Sequence, residues 1–368
     1  MPNDFTATIA TEFDEDFESG GAWDRLVNGS NVDSIFLSSG WLRAWRETLG
    51  AGARLVVPRI HRDGELVAAA ALQVCDGVVE FAGSGPSDYA DFVVSKQVDA
   101  TTTHALIRDL IRLAVETVPD FRHLRLSGVV LQESATPAVL DARASGLFAV
   151  EVGRTTAPFS DLRRAELGKI ARRRARTLAK AGASKIETFT RADDILPQLD
   201  DLFSQHIRRW EGTRWPSRFT EEVHREFFGR LTAHLGRTGA MRFTTIRLDG
   251  RPAAMHFGFR HRHRFFYYTA TYERELQTLS PGTVLLEQLL QIAKTEGALE
   301  FDLLLGEESY KQRFATGSRT VADLHVTTSA LRAALKRTMF RARASAGRLK
   351  RTMLPGLKSR ALRNAEPG

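Results

Sequence analysis

The sequence predicts two tandem lobes of one mixed α/β design, near residues 1–155 and 156–330, followed by a basic helical tail over 331–368. Three observations predict it. The first is an internal echo. Ile60-His-Arg-Asp63-Gly64-Glu-Leu-Val-Ala68 resembles Ile246-Arg-Leu-Asp249-Gly250-Arg-Pro-Ala-Ala254, and each copy reads as strand, Asp-Gly turn, strand. The second is that the same order of elements follows each hairpin, as a duplicated unit would give. The third is length: 368 residues suit two domains of ~150 each.

In the first lobe, Leu55 to Ile60 leads into the turn and Leu66 to Val74 leads out. Extended Val78–Phe81 and Phe92–Val94 follow, then a helix near 101–117 and a strand from His123 to Ser127. In the second lobe, Met241 to Leu248 leads in and Ala253 to Phe259 leads out. The strand Phe265 to Ala270, a helix over 281–296 and a strand over 299–305 complete it. Between the lobes, Asp161 to Ala181 reads as a helix with a thin apolar stripe. Helices recur near 192–210 and 219–235, and Ser329 is a plausible N-cap for a last helix to Leu349, which Pro355-Gly356 breaks.

Composition narrows the function classes. At 43% hydrophobic and 26% charged residues, the chain is an ordinary globular protein. Apolar runs such as Leu66 to Ala71 are far shorter than the ~20 residues that span a bilayer. The start, Met1-Pro-Asn-Asp-Phe, lacks a signal-peptide pattern. A single cysteine, Cys75, excludes an internal disulfide and fits a reducing compartment, so a cytoplasmic protein is expected. The net charge of +8 is unevenly spread. Residues 331–368 hold eleven Lys/Arg against Glu366, and 162–180 hold eight against Glu166. What remains is acidic, which argues against a whole-domain nucleic-acid binder.

The segment Gln277 to Phe314 is the most informative. Ser280 is a good N-cap, Pro281 suits the first helical turn, and Gly282 lets a backbone approach closely. Unpaired N–H groups at such a helix start can hold a pyrophosphate. A strand carrying Asp302 and the pair Tyr310-Lys311 follow at short range.

Here the sequence resembles a known group. Gln277-x-x-Ser280-x-Gly282 is similar to the pyrophosphate loop of the GNAT acyltransferases, with serine in place of the first glycine. Tyr272, Gly297, Phe301-Asp302, Gly306 and Tyr310-Lys311 extend the likeness to double-GNAT, CelD-like bacterial proteins related to the FemABX aminoacyltransferases. So do Phe36-Leu-Ser-Ser-Gly-Trp41-x-x-x-Trp45, Ser87-Asp88-Tyr89-x-Asp91 and Arg208-Arg209-Trp210. The resemblance covers about residues 35–325. It implies two GNAT-like lobes, each a mixed, mainly antiparallel sheet flanked by helices. It also implies acyl-CoA, in the simplest case acetyl-CoA, bound by the second lobe at Gln277, Ser280, Pro281, Gly282 and Thr283. The first lobe's equivalent helix begins Asp99-Ala-Thr-Thr-Thr-His104 and lacks the glycine.

The chemistry expected is attack of an amine or hydroxyl on the acyl carbonyl. Lys311 would stabilise the oxyanion, Tyr310 or Tyr268 would serve as acid, and Glu211 or Asp302 as base. Glu211 follows Trp210, where a carboxyl's pKa can rise. Asp88, Tyr89, Asp91 and Trp210 are the expected acceptor contacts. The resemblance implies an acceptor among cell-envelope saccharides or their precursors. Two alternatives stay open: a FemABX-like transferase fed by aminoacyl-tRNA, with the basic interlobe helix receiving tRNA, and a non-catalytic partner protein with a degenerate site. The basic tail is a candidate for contact with anionic membrane. No metal is expected, since His261 and His263 alternate with arginines, and His256 reads as a hydrogen-bonded core residue.

Overall fold

The computed structural model describes residues 4–137, 148–164, 178 and 180–329. The expected basic interlobe helix, over most of its length, and the basic tail lie outside the described residues. The strands are β1 (Phe5–Ala10), β2 (Arg54–Arg62), β3 (Glu65–Ala69), β4 (Leu72–Cys75), β5 (Val78–Phe81), β6 (Val93–Val94) and β7 (His123–Val130). They continue as β8 (Phe148–Asp161), β9 (Ser184–Phe189), β10 (Met241–Leu248), β11 (Arg251–His261), β12 (Arg264–Tyr272), β13 (Glu300–Asp302) and β14 (Gly317–Thr327). The helices are α1 (Ala22–Asn28), α2 (Ser39–Glu47), α3 (Ala100–Glu116) and α4 (Ala192–Ile195), then α5 (Leu199–Trp210), α6 (Glu222–Leu235), α7 (Pro281–Thr295) and α8 (Ser309–Gln312).

Both Asp-Gly turns form as read. Asp63 and Gly64 have φ of 53° and 81°, Asp249 and Gly250 49° and 79°, the doubly positive pattern of a tight hairpin. β2 pairs with β3 and β4, which act as one interrupted strand, while β10 pairs with the continuous β11. In each lobe the next strand is joined through a helix to a parallel neighbour: β5 to β7 through α3, and β12 to β13 through α7. The echo therefore extends over a whole hairpin–strand–helix–strand unit.

The lobes also exchange strands. β8, which follows the first lobe's β7, pairs with the second lobe's β13. β14, which follows β13, pairs with the first lobe's β7, and β8 and β14 pair with each other. One sheet results, in the order β6-β3-β2-β4-β5-β7-β14-β8-β13-β12-β11-β10-β9. Position 155, taken from the sequence as the division between lobes, lies inside β8.

Three apolar clusters sandwich this sheet. α3 covers one face of the first lobe and α7 the same face of the second. On the other face α2 and α6 pack together, with Trp41, Phe36, Phe227 and Phe228 in a single cluster shared by both lobes. Gly40 permits this contact, since a Cβ there would lie 2.7 Å from Leu235 Cδ2. The helix read over 192–210 is interrupted by a 3-10 turn at Leu196–Gln198, where Pro197 cannot donate. The strand read over 299–305 ends at Asp302, because Leu304 turns into the left-handed region at φ 61° and its amide donates to Asp302 Oδ1.

Candidate active site

β12 and β13 are paired only from Arg264–Phe266 to Glu300–Asp302. Beyond that β12 runs on to Tyr272 while β13 turns away. A gap opens at the C-terminal ends of two parallel strands, where open α/β sheets bind ligands. The first-lobe loop over residues 83–91 enters it. Tyr268 Oη donates to Pro86 O at 3.0 Å, Tyr89 Oη donates to Asp302 Oδ1 at 2.8 Å, and the Leu305 amide donates to Asp88 Oδ2 at 3.3 Å. A turn rich in Gly, Pro and Ser follows the chain into this space, and the second lobe's hydroxyl and amide groups fasten it.

The electrostatics of the gap are those of poorly hydrated acids. Burial pushes the Asp88 carboxyl up to about 6, with the Leu305 amide and the Lys311 charge opposing. Burial also raises Asp302 to about 6, against the pull of Arg319. Lys311 is 5% exposed. Its Nζ donates to Leu305 O at 2.6 Å and pairs with Glu308 at 3.0 Å. An ammonium has three N–H groups, so one remains. Behind Asp302, Arg319 donates to Asp302 at 3.3 Å and to Glu133 at 2.6 Å, and also pairs with Glu300. Arg264 joins the same Glu133 and Glu300 at 2.5 and 2.9 Å. This network ties the first lobe (Glu133, Tyr89), the second (Arg264, Asp302) and the exchanged strand (Arg319) into one rigid support.

The remaining sequence candidates fall around this centre unequally. Asp302 is fully buried and fully occupied by partners, so it orients Tyr89 and Arg319 rather than facing an acceptor. Tyr268 is packed among Phe36, Trp41 and Phe228, and burial holds its phenol above the ordinary range. The same holds for Tyr310, with Tyr267 and Glu308 adding to the effect of burial. Asp91 is buried and accepts from Thr136 Oγ1 at 2.6 Å and from the Phe92 amide, a structural role for its loop. Glu211 is exposed just past α5. The indole of Trp210 faces the Arg209 guanidinium instead, at 5.3 Å. Sequence reasoning did not single out Arg319, Glu133 or Arg264. Their signal lies in pairing across 131 to 186 residues of chain, which no local pattern reveals.

At the start of α7 the structure corrects an expectation. Ser280 is the N-cap, but its backbone is left-handed at φ 52° and its side chain caps nothing. That conformation explains why a glycine suits the position. The Ser280 amide donates to Gln277 O at 2.9 Å, and the Thr283 and Val284 amides both donate to Ser280 O at 3.1 Å. Pro281 has no N–H, so Gly282 contributes the one amide left over. Gly282 is pressed on its own chain: a Cβ there would lie 2.8 Å from Tyr272 Cδ1. Gln277 is exposed. A backbone cradle of several outward amides for a diphosphate does not fit this helix start, because the 3-10 turn Arg274–Leu279 and Ser280 consume the donors.

His256 is buried, but neither ring nitrogen has a hydrogen-bond partner among the described residues. It stacks on Tyr267 at 5.0 Å, and burial lowers its pKa to about 3. Among the described residues no group of three or more His, Cys, Asp or Glu is placed to hold a metal. No helix among them is long and apolar enough to cross a membrane.

The gap, the paired lobes and the exchanged strands define a double mixed α/β fold. Residues 166–312 match the acetyltransferase (GNAT) domain family. Among solved structures, FemX superposes with a TM-score of 0.61 at 11% identity, covering 85% of this chain and 97% of that one. L-PGS from Bacillus licheniformis superposes with a TM-score of 0.56 at 10% identity, over 90% and 98% of the two chains. The C-terminal domain of a putative lysylphosphatidylglycerol synthetase from Agrobacterium fabrum gives 0.56 at 12% identity, over 86% and 94%. No curated protein matches the sequence. The likeness to the GNAT domain thus lies in residues 166–312, and the chain as a whole shares the fold of FemX.

Proposed function

We propose that the protein is an acyltransferase that moves an acyl group, acetyl in the simplest case, from acyl-CoA to an amine or hydroxyl of a cell-envelope saccharide or precursor. The GNAT domain match and the FemX-like fold support the transferase class. The observation that carries the site is that Asp88 and Lys311, from different lobes, both bond to the backbone of Leu305 at the gap between β12 and β13. Asp88 is half-buried, has one carboxylate oxygen free of the Leu305 amide, and holds a proton with a pKa of about 6. That is the range a general base needs near neutral pH. In the reaction the acceptor's lone pair forms a bond to the acyl carbon, its proton passes to Asp88, and the donor's leaving group departs with the electron pair. The uncommitted N–H of Lys311 offers positive charge for the developing oxyanion. Asp302, Tyr89 and Arg319 hold the Asp88 loop in place, and Tyr268 pins its Pro86 turn.

Asp88→Asn tests this. The expected loss in acyl transfer is roughly 10²–10⁴-fold with unfolding behaviour unchanged. Wild-type rate should fall as pH drops below about 6, because the base is then protonated. Full activity in Asp88→Asn would remove the assignment.

A second reading, transfer from aminoacyl-tRNA, is favoured by one observation: the start of α7 leaves a single amide for a diphosphate, and a tRNA donor does not require that cradle.

A further inference from the structure

Where the backbone at α7 offers a single amide, side chains are needed to hold the donor's phosphates. The turn that follows α5 carries a guanidinium and an exposed ring. Trp215 is 68% exposed, the most exposed large apolar side chain among the described residues. The turn that presents it is ordered by its own bonds. Thr213 Oγ1 donates to Trp210 O at 2.8 Å and accepts from the Trp215 amide at 3.3 Å. The Arg214 guanidinium stands 5.3 Å from the Trp215 ring, and among the described residues it makes no ion pair. Trp210 Nε1 nearby is buried and lacks an acceptor.

The root of this turn is fastened to the entrance of α7. Arg208 pairs with Glu273 at 3.0 Å. Arg209 donates to Ala270 O at 3.1 Å and lies 4.0 Å from the Tyr272 ring. Tyr272 is the ring against which Gly282 abuts. An exposed indole, a guanidinium without an ion pair among the described residues and an unused indole N–H thus belong to the turn that directly follows Arg208 and Arg209, whose own partners Glu273, Ala270 and Tyr272 precede α7.

We propose that this turn holds the phosphoadenosine end of the acyl donor, with Trp215 stacked on the adenine and Arg214 paired with a phosphate. The inference rests on the transferase reading above and adds where the donor is gripped. Stacking on an exposed aromatic and pairing with arginine is how proteins hold a base and its phosphate without a backbone nest. The two donor sources share this chemistry. Coenzyme A ends in an adenosine bearing phosphates, and aminoacyl-tRNA ends in an adenosine preceded by a phosphodiester.

The experiment is calorimetric titration of the full chain with adenosine 3′,5′-bisphosphate, with coenzyme A, with pantetheine, and with an uncharged RNA minihelix ending in CCA. It is run on wild type, Trp215→Ala, Trp215→Phe and Arg214→Ala. The expected result is binding of the bisphosphate but not of pantetheine. Trp215→Ala should weaken it roughly ten- to a hundred-fold, and Trp215→Phe should restore most of it. Arg214→Ala should weaken binding and flatten its dependence on salt. The same pattern with coenzyme A identifies a thioester donor, and with the minihelix alone a tRNA donor; either supports the grip. Binding that none of the variants changes, or no binding of any adenosine phosphate, overturns it. Asp88→Asn separates the two levels: it is expected to leave these affinities unchanged. Loop-independent binding with an Asp88-dependent rate would sink the grip and leave the transferase standing.

Discussion

In the first lobe β5 and β7 pair from Val78–Glu80 to His123–Arg125 and then part, as β12 and β13 do in the second. The two gaps are closed differently. The first is sealed by its own chain: the Ala90 amide donates to Gly128 O at 3.1 Å. Gly128, at φ 82°, comes so near that a Cβ would lie 2.9 Å from Asp88 O. Its helix α3 begins on Asp99, whose carboxylate accepts from the Thr102 amide and hydroxyl at 3.0 and 2.6 Å. A carboxylate in that place occupies the position of an anionic ligand. In the second lobe the gap is entered from outside, by the other face of that same first-lobe loop, and α7 begins without a side-chain cap. One loop thus closes the gap of its own lobe and lines the gap of the other.

The exchange of β8 and β14 makes this comparison sharp, because neither lobe owns all its strands. Removing residues 317–368 takes away the partner of both β7 and β8. The expected outcome is loss of cooperative unfolding for the whole chain, not for the second lobe alone, read by calorimetry or by denaturant titration. A first lobe that still unfolds cooperatively in that truncated protein would show that the lobes are independent.

The next largest effect should come from the network behind Asp302. Arg319→Met leaves Asp302, Glu300 and Glu133 with Arg264 as their remaining cation. Breaking a buried ionic cluster from one side costs about 3–5 kcal/mol. The control is Arg154→Met, whose pair with Glu151 is largely exposed and should matter by under about 1 kcal/mol. Denaturant midpoints at pH 8 check the pair, and equal small losses would mean that the network does not hold the lobes together. Tyr89→Phe removes one hydroxyl from a buried carboxylate and should cost about 1.5–3 kcal/mol.

How much of this was legible follows from the range of the forces involved. The hairpins are local, and Asp-Gly at both turns sufficed to place them. The order of helices and strands followed from periodicity and from the echo between copies. The Asp88 loop was identified as a site element, but its partners Leu305 and Asp302 lie more than 200 residues away. Nothing within the loop's own sequence states which lobe it serves. Strand exchange is hidden for the same reason: β8 and β14 are not among the strands that the sequence pattern marks, and only pairing assigns each to the opposite lobe. The start of α7 misled because a Ser-Pro-Gly sequence is compatible both with an open anion cradle and with a tight turn that spends its own amides.

The smallest predicted effect bears on the cores of the two lobes. Counted from each Asp-Gly turn, His256 stands where the first lobe has Ala70, and both are fully buried. The first lobe fills the place with a methyl group; the second fills it with an imidazole that must stay neutral. Burial lowers the His256 pKa to about 3, whereas an unfolded histidine titrates near 6.5. A folded pKa below the unfolded one means that the unfolded state binds more protons between these values, so stability falls as pH drops below about 6.5. At pH 5 the difference is about 1.5 units, or about 2 kcal/mol. Asp88, Asp91 and Asp302, raised to about 6, act with the opposite sign over the same range, so the wild-type curve alone is not diagnostic. The difference between wild type and His256→Leu cancels them. That variant should gain about 2 kcal/mol on wild type between pH 8 and pH 5. Parallel pH profiles would mean that the imidazole takes up its proton without leaving the core, through an acceptor that burial alone does not predict.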